Sequence, residues 1–134
     1  MMASQNGARV RVMIVEQNLD FGMKLADWLA TSGYHPVFVR SVDAAIGALS
    51  SVQPRAIFVG IGCSGPVARI DIAEALLMIQ TVCPCLPVST IEDQTSKDLT
   101  QVVVRQGGRR FLVKQVEFSQ IGEALQSELS MAAV

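Results

Sequence analysis

The segment Val10-Arg11-Val12-Met13-Ile14-Val15 is an almost unbroken apolar run that is rich in β-branched residues. Such a run is typical of a strand that is buried on both of its faces, as the strands of a parallel sheet are. The next residues are polar, and Asn18 is suited to cap a helix that begins near Leu19 or Asp20. Apolar residues then recur at helical spacing, at Phe21, Leu25, Trp28 and Leu29. The stretch therefore predicts a strand that is followed directly by a helix.

The same alternation of strand and helix continues along the chain. Further strands are predicted at 35–39, 55–59, 86–91 and 110–113, and further helices after Ser41, from Ile70 to Gln80, from Ser96 or Lys97 to Gln106, and from Phe118. Gly33 and the pair Gly107-Gly108 are placed to end helices. Five strand–helix units predict an α/β fold, a doubly wound parallel sheet with helices on both faces. We expect a single domain over residues 1–134, with its core at about 9–129 and a frayed tail from Ser130 to Val134.

The composition is that of a globular protein with no nucleic-acid or membrane function. Half of the 134 residues are hydrophobic, 17% are charged, and the formal net charge is -1. The basic residues are scattered, with Arg109-Arg110 as the only adjacent pair, and they form no nucleic-acid footprint. No apolar run is long enough to span a membrane, and the polar N-terminus lacks the apolar region of a signal peptide. Three cysteines in this setting predict reduced thiols and a cytoplasmic protein.

A doubly wound sheet binds its ligands at the carboxyl ends of the strands, where the strand order reverses. The residues that decide function therefore follow the predicted strands. They are Glu16, Gln17, the loop from Gly60 to Ser64, the segment from Ile91 to Gln94, Lys114 and Gln115.

Five segments of the chain carry a resemblance to a known family: Arg11 to Asn18, Pro54 to Gly60, Gly60 to Gly65, Ile70 to Leu77 and Gln106 to Lys114. The family that they resemble is the response-regulator receiver domain of bacteria, the CheY-like family. The last segment is the most specific, because the family carries a small-residue turn, an aromatic residue and a lysine there. The resemblance covers roughly residues 9–129. It implies a flavodoxin-like (CheY-like) sheet of five parallel strands in the order 2-1-3-4-5.

The resemblance also implies a phosphorylation cleft, several residues of which are replaced in this chain. A receiver uses an acidic pair, an aspartate that accepts the phosphoryl group, a hydroxyl residue, a switch aromatic and a lysine. The matching positions here are Glu16, Gln17, Gly60, Glu92, Phe111 and Lys114. Thr90 takes the hydroxyl position if the register shifts. Gln115 replaces the proline that usually follows the lysine, which puts the usual cis peptide there in doubt.

The expected protein is a degenerate pseudo-receiver rather than an enzyme. Glycine at position 60 offers no oxygen, so the family's aspartyl phosphorylation is impossible there. We expect no catalytic residue, no cofactor, no metal site and no Mg²⁺ binding. Glu92 either pairs with Lys114, imitating the charge of a phosphorylated state, or is solvated beside Asp93. Glu16 likewise either pairs with Lys114 or points to water.

Two other functions remain open on the sequence alone. The first is a receiver-like switch controlled by a small ligand, which would bind in the space vacated by the missing carboxylate, or by modification of Cys63 or Ser64. The second is a flavodoxin-like cofactor-binding protein. The loop after the third strand lacks the Ser/Thr-rich phosphate cradle that such a protein needs, which disfavours it.

A protein without chemistry of its own acts through its surfaces, so we expect a signalling protein as its partner, in a two-component or phosphorelay pathway. In the receiver family, the common partner or homodimer face consists of the fourth helix, the fifth strand and the fifth helix. The residues of that face would be Val103, Val104, Arg109, Arg110 and Phe118. The alternative is that the valines are core residues and the arginines are solvated.

Overall fold

Strands and helices alternate along the chain as the sequence predicts. The computed structural model describes residues 9–61, 74, 76–84, 86–92, 110–113 and 118–133. The strands are β1 (Arg11–Val15), β2 (His35–Val39), β3 (Ala56–Ile61), β4 (Val88–Glu92) and β5 (Arg110–Val113). The helices are α1 (Leu19–Thr31), α2 (Val42–Val52), α3 (residues 74 and 76–82) and the C-terminal helix (Phe118–Ala133). The predicted fourth helix, at 96–106, lies outside the described residues.

The strands form one parallel sheet in the order β2-β1-β3-β4-β5. Strand β1 lies inside this sheet, with Met13 level with Val37 of β2 on one side and with Ile57 of β3 on the other. The chain therefore adds β2 on one side of β1 and the later strands on the other side. The direction in which strands are added reverses between β1 and β3. The prediction of a doubly wound sheet with this strand order is confirmed.

Each face of the sheet has its own apolar core. Val12 and Ile14 belong to the core beneath α1 and the C-terminal helix, whereas Met13 and Val15 belong to the core beneath α2 and α3. Successive residues of a strand point to opposite faces. A strand segment that is covered on both faces must therefore be apolar at every position, which explains the apolar run from Val12 to Val15. Arg11, the first residue of β1, is exposed.

Helix α1 begins and ends where its local chemistry predicts. The side chain of Asn18 accepts a hydrogen bond of 3.0 Å from the backbone N–H of Phe21, which satisfies a donor of the first turn. Beyond Ser32, Gly33 adopts a φ of 102°, a left-handed conformation that suits glycine. The helix thus has a fixed first turn, which leads directly out of the residues that follow β1.

Several boundaries differ from the prediction. Strand β1 begins at Arg11, and strand β4 begins at Val88 rather than Leu86. Strand β3 continues through Gly60 to Ile61, because both residues pair with β4. Gly60 lies level with Ile91, and Ile61 lies level with Glu92. Helix α3 continues to residue 82. The tail was predicted to fray from Ser130, but the C-terminal helix continues to Ala133.

Helix α2 ends at a residue that the sequence does not mark. Gln53 adopts φ 52° and ψ 59°, in the left-handed region, and its N–H donates to the carbonyl of Leu49 at 2.9 Å. Helices commonly end in this conformation, but usually with glycine. The left-handed conformation costs a residue with a Cβ roughly 1 kcal/mol, so Gln53 lowers the stability of the protein at this position.

We expect Gln53→Gly to raise the free energy of unfolding by about 0.5–1 kcal/mol, because glycine removes the left-handed penalty at an exposed site. Urea unfolding followed by circular dichroism measures the change. Ser50→Gly is the matched control, because it introduces glycine at an exposed position inside the same helix. That control is expected to lower stability, and equal losses in both variants would contradict the prediction.

Candidate functional site

The carboxyl ends of β1 and β3 meet at the point where the strand order reverses. Val15, the last residue of β1, pairs with Val59 of β3. Glu16 follows Val15, and Gly60 follows Val59. These two residues therefore lie side by side at the same edge of the sheet. In a doubly wound sheet, this is the position at which ligands bind.

The carboxylate of Glu16 fills the space where a side chain at position 60 would stand. A Cβ atom built on Gly60 would overlap Oε1 of Glu16 and would lie 2.7 Å from its Cδ and 3.2 Å from its Oε2. Glu16 is only 6% exposed. A residue larger than glycine at position 60 requires this carboxylate to move.

Backbone groups on two sides fix the position of Glu16. Its N–H donates to the carbonyl of Val39 in β2 at 3.1 Å, and its Oε2 accepts from the N–H of Asn18 at 2.9 Å. Hydrogen bonds to an ionised acceptor are stronger than those between neutral groups. Because Asn18 is the cap of α1, the carboxylate also stands at the positive end of that helix, where negative charge is stabilising.

Gln17 is held through its backbone rather than through its side chain. The residue is exposed, and its carbonyl accepts a hydrogen bond of 2.7 Å from Nη2 of Arg40. Arg40 was not among the residues predicted for this site. The available signal was its position, since a basic residue directly after β2 lies at the same edge of the sheet as the residues after β1.

The register of β4 and β5 places the remaining predicted cleft residues. Glu92 is the last residue of β4 and pairs with Ile61 and Val113, so it lies one level beyond Gly60. Thr90 is fully buried and pairs with Val59 and Phe111, so it lies one level below. The end of β4 is thus occupied by Glu92. Lys114 and Gln115 lie outside the described residues.

Two of the alternatives drawn from the sequence disagree with this geometry. One placed a small ligand in the space beside Gly60, but the carboxylate of Glu16 occupies that space. The other left Glu16 exposed to water, whereas this residue is buried. Both differences have the same cause: a glutamate is one methylene longer than an aspartate and reaches across to β3. Cys63 and Ser64 lie outside the described residues.

The predicted partner face is described only at its edges. Val103, Val104 and Arg109 lie outside the described residues, and Arg110 and Phe111 are placed as the first residues of β5. The ring of Phe118 lies against helix α1, with its centroid 6.2 Å from that of Phe21 and 6.0 Å from that of Trp28. Its contacts there are internal contacts between α1 and the C-terminal helix.

Metal-ligating side chains do not gather in the part of the chain that the structure describes, where no group of three or more His, Cys, Asp and Glu residues is suited to hold an ion. Within the same residues, no helix combines the length and the apolar character needed to cross a membrane.

Comparison with solved structures relates this architecture to receiver domains. The chain superposes on a CheY-like response regulator receiver domain protein from Methanospirillum hungatei with a TM-score of 0.81 and 12% identity, covering 94% of this chain and 98% of that one. A response regulator from Thermotoga maritima gives a TM-score of 0.80 and 16% identity, with 91% and 98% covered. The chain has the receiver-domain fold.

A longer protein shows the same likeness over part of its length. NtrX from Brucella abortus matches with a TM-score of 0.82 and 22% identity, covering 93% of this chain but 28% of NtrX. No protein-family model and no curated protein matches the sequence. At these identities the comparison establishes the receiver fold, whereas the residues of the cleft must carry the argument about function.

Proposed function

We propose that the protein is a receiver-type signalling module that works without phosphorylation of its own cleft, through protein–protein contacts in a two-component or phosphorelay pathway. The observation that carries this proposal is the Glu16–Gly60 pair, in which the acceptor position has no side chain and its space is filled from the neighbouring strand. The receiver fold of the solved structures supports the assignment to signalling.

Phosphoryl transfer to the protein needs a nucleophilic oxygen at the point of attack. Gly60 supplies none, and Glu16 is buried with one carboxylate oxygen already bonded to the N–H of Asn18. Mg²⁺ prefers a nearly octahedral set of oxygen ligands with several waters. The cleft offers an uncharged, exposed Gln17 where a receiver has its second acid, so we propose that the protein needs neither Mg²⁺ nor another cofactor.

Contact surfaces then remain as the means of action. Large apolar side chains are exposed on α1 and on α3. They are Leu19, Met23, Leu77, Met78 and Val82. We propose a cytoplasmic signalling protein as the partner, and a homodimer through the fourth helix, β5 and the C-terminal helix as a second mode of assembly.

The first test is an amide NMR spectrum of the protein with and without Mg²⁺ and beryllofluoride, a mimic of the phosphoryl group. We expect no shifts at Glu16, Gly60 or Thr90, because the cleft has no acceptor for the mimic. A receiver domain with an intact acceptor aspartate serves as the reagent control. Saturable shifts centred on these three residues would contradict phosphorylation independence.

The second test concerns the partner. A photo-crosslinking amino acid at Met23 or Leu77, both exposed, reports contacts without disturbing the core. We expect capture of a two-component signalling protein to the same extent with and without a small phosphodonor such as acetyl phosphate. Capture that depends on the phosphodonor would contradict the proposal.

A further inference from the structure

We propose that Glu16 is a built-in occupant of the receiver cleft and that its carboxylate locks residues 16–18, which connect β1 to α1, in one conformation. This inference deepens the proposed function and rests on it for its role in signalling: the protein would present one fixed surface instead of switching between two. The contact itself involves only residues of this chain.

The lock begins with steric fit. The carboxylate of Glu16 lies against the backbone of Gly60 so closely that not even a methyl group fits between them. With 6% of the residue exposed, neither a phosphoryl group nor another anion reaches the same space without displacing Glu16. Interiors are packed too densely for both to be present.

Hydrogen bonds extend the lock along the connection. Glu16 bonds to Val39 through its N–H and to the N–H of Asn18 through its carboxylate, and the carbonyl of Gln17 accepts from Arg40. Each of the three connecting residues is thereby held by at least one hydrogen bond. Asn18 carries two roles, because its N–H holds the carboxylate while its side chain caps α1 at Phe21.

The consequence reaches the protein surface. The connection leads without a break into the first turn of α1, where Leu19 is exposed, and Met23 follows one turn later. Loss of the carboxylate would free the N–H of Asn18 and loosen the cap that depends on the position of this residue. The state of Glu16 therefore determines how firmly the exposed apolar start of α1 is held.

Hydrogen exchange in the ligand-free full chain tests the lock. We expect Glu16→Ala to speed amide exchange at Asn18 and Phe21 by about tenfold, because the charge-assisted bond that orders the connection is lost. Asp20→Ala is the matched control: it removes an acidic side chain from the same turn, but one that is 78% exposed. We expect its exchange rates to stay within about twofold of wild type. Unchanged rates in Glu16→Ala, or equal effects of the two variants, would overturn the inference.

Acetate provides an independent readout, since it has the same two carbons and two oxygens that Glu16→Ala removes. Millimolar acetate is expected to shift the amides of Gly60 and Asn18 in Glu16→Ala and to slow the exchange of Asn18, whereas chloride at equal ionic strength does neither. Wild type is expected to show no such shifts, because its own carboxylate fills the space. Acetate shifts of equal size in wild type, or none in Glu16→Ala, would count against the lock.

Glu16→Gln covers the case in which the alanine variant does not fold. The amide keeps the shape of the side chain and an acceptor oxygen but loses the charge, so a folded protein with faster exchange at Asn18 is expected. Exchange identical to that of wild type would overturn the inference. Failure of the proposed function is seen separately, as a response of wild type to Mg²⁺ and beryllofluoride, which these ligand-free measurements do not involve.

Discussion

Gly60→Asp is expected to lower the free energy of unfolding by about 3 kcal/mol, even though it introduces the residue type that receiver domains carry at this point. The new Cβ would overlap Oε1 of Glu16, and the new carboxylate would enter a space that already holds a buried one. Overpacking and like-charge repulsion act in the same direction. Urea unfolding followed by circular dichroism gives the change.

Two further variants separate the causes. Gly60→Ala adds only the methyl group. The atoms that it meets are the far end of the Glu16 side chain, so we expect it to cost only about 1 kcal/mol, because the carboxylate turns away and its hydrogen bond with the N–H of Asn18 is lost. The double variant Glu16→Ala with Gly60→Asp removes the obstacle. We expect its loss of unfolding free energy to be smaller than the summed losses of Glu16→Ala and Gly60→Asp by at least about 1 kcal/mol. Additive losses would show that Glu16 and Gly60 do not share this space.

Much of the fold follows from local patterns that have only one reasonable structural solution. The apolar run in β1 fits a strand covered on both faces. Asn18 predicts the start of a helix, and its side chain accepts the expected hydrogen bond from the N–H of Phe21. The end of β3 was missed because Gly60 and Ile61 precede further glycine in a sequence that resembles a turn, whereas pairing with β4 extends the strand. Local propensity gives way to tertiary pairing at such ends.

The cleft was less predictable, because its decisive contact joins residues that are far apart in the sequence. Composition and spacing place Glu16 and Gly60 at one edge of the sheet, but they do not indicate that one side chain occupies the position of the other. The glycine alone suggested a vacancy. Arg40 was missed for a similar reason, since its hydrogen bond to the carbonyl of Gln17 depends on the arrangement of two strand ends.

Gly22→Leu is expected to destabilise the protein by about 2–3 kcal/mol, because it places a large side chain where α1 lies directly on β2. Gly22 is buried, and a Cβ at this position would overlap two atoms of the Phe38 ring and approach a third to 3.0 Å. The Phe38 ring belongs to the periphery of the core beneath α1. Accommodating leucine requires either the ring to leave this contact or the helix to move away from the sheet, and both lose packing.

Gly47→Leu makes the same change in α2 and is its matched control, since a Cβ there meets no atom within 4 Å. Leucine is a better helix former than glycine by roughly 0.8 kcal/mol, so this control is expected to be neutral or stabilising in the same urea titration. Opposite signs for one substitution in two helices isolate the contact with Phe38 from helix propensity. Phe38→Ala should reduce the cost of Gly22→Leu by at least about 1 kcal/mol, as contacting residues are coupled. If the cost of Gly22→Leu were the same with alanine at position 38, the ring would not be what requires glycine, and the close approach of α1 to β2 would need another cause.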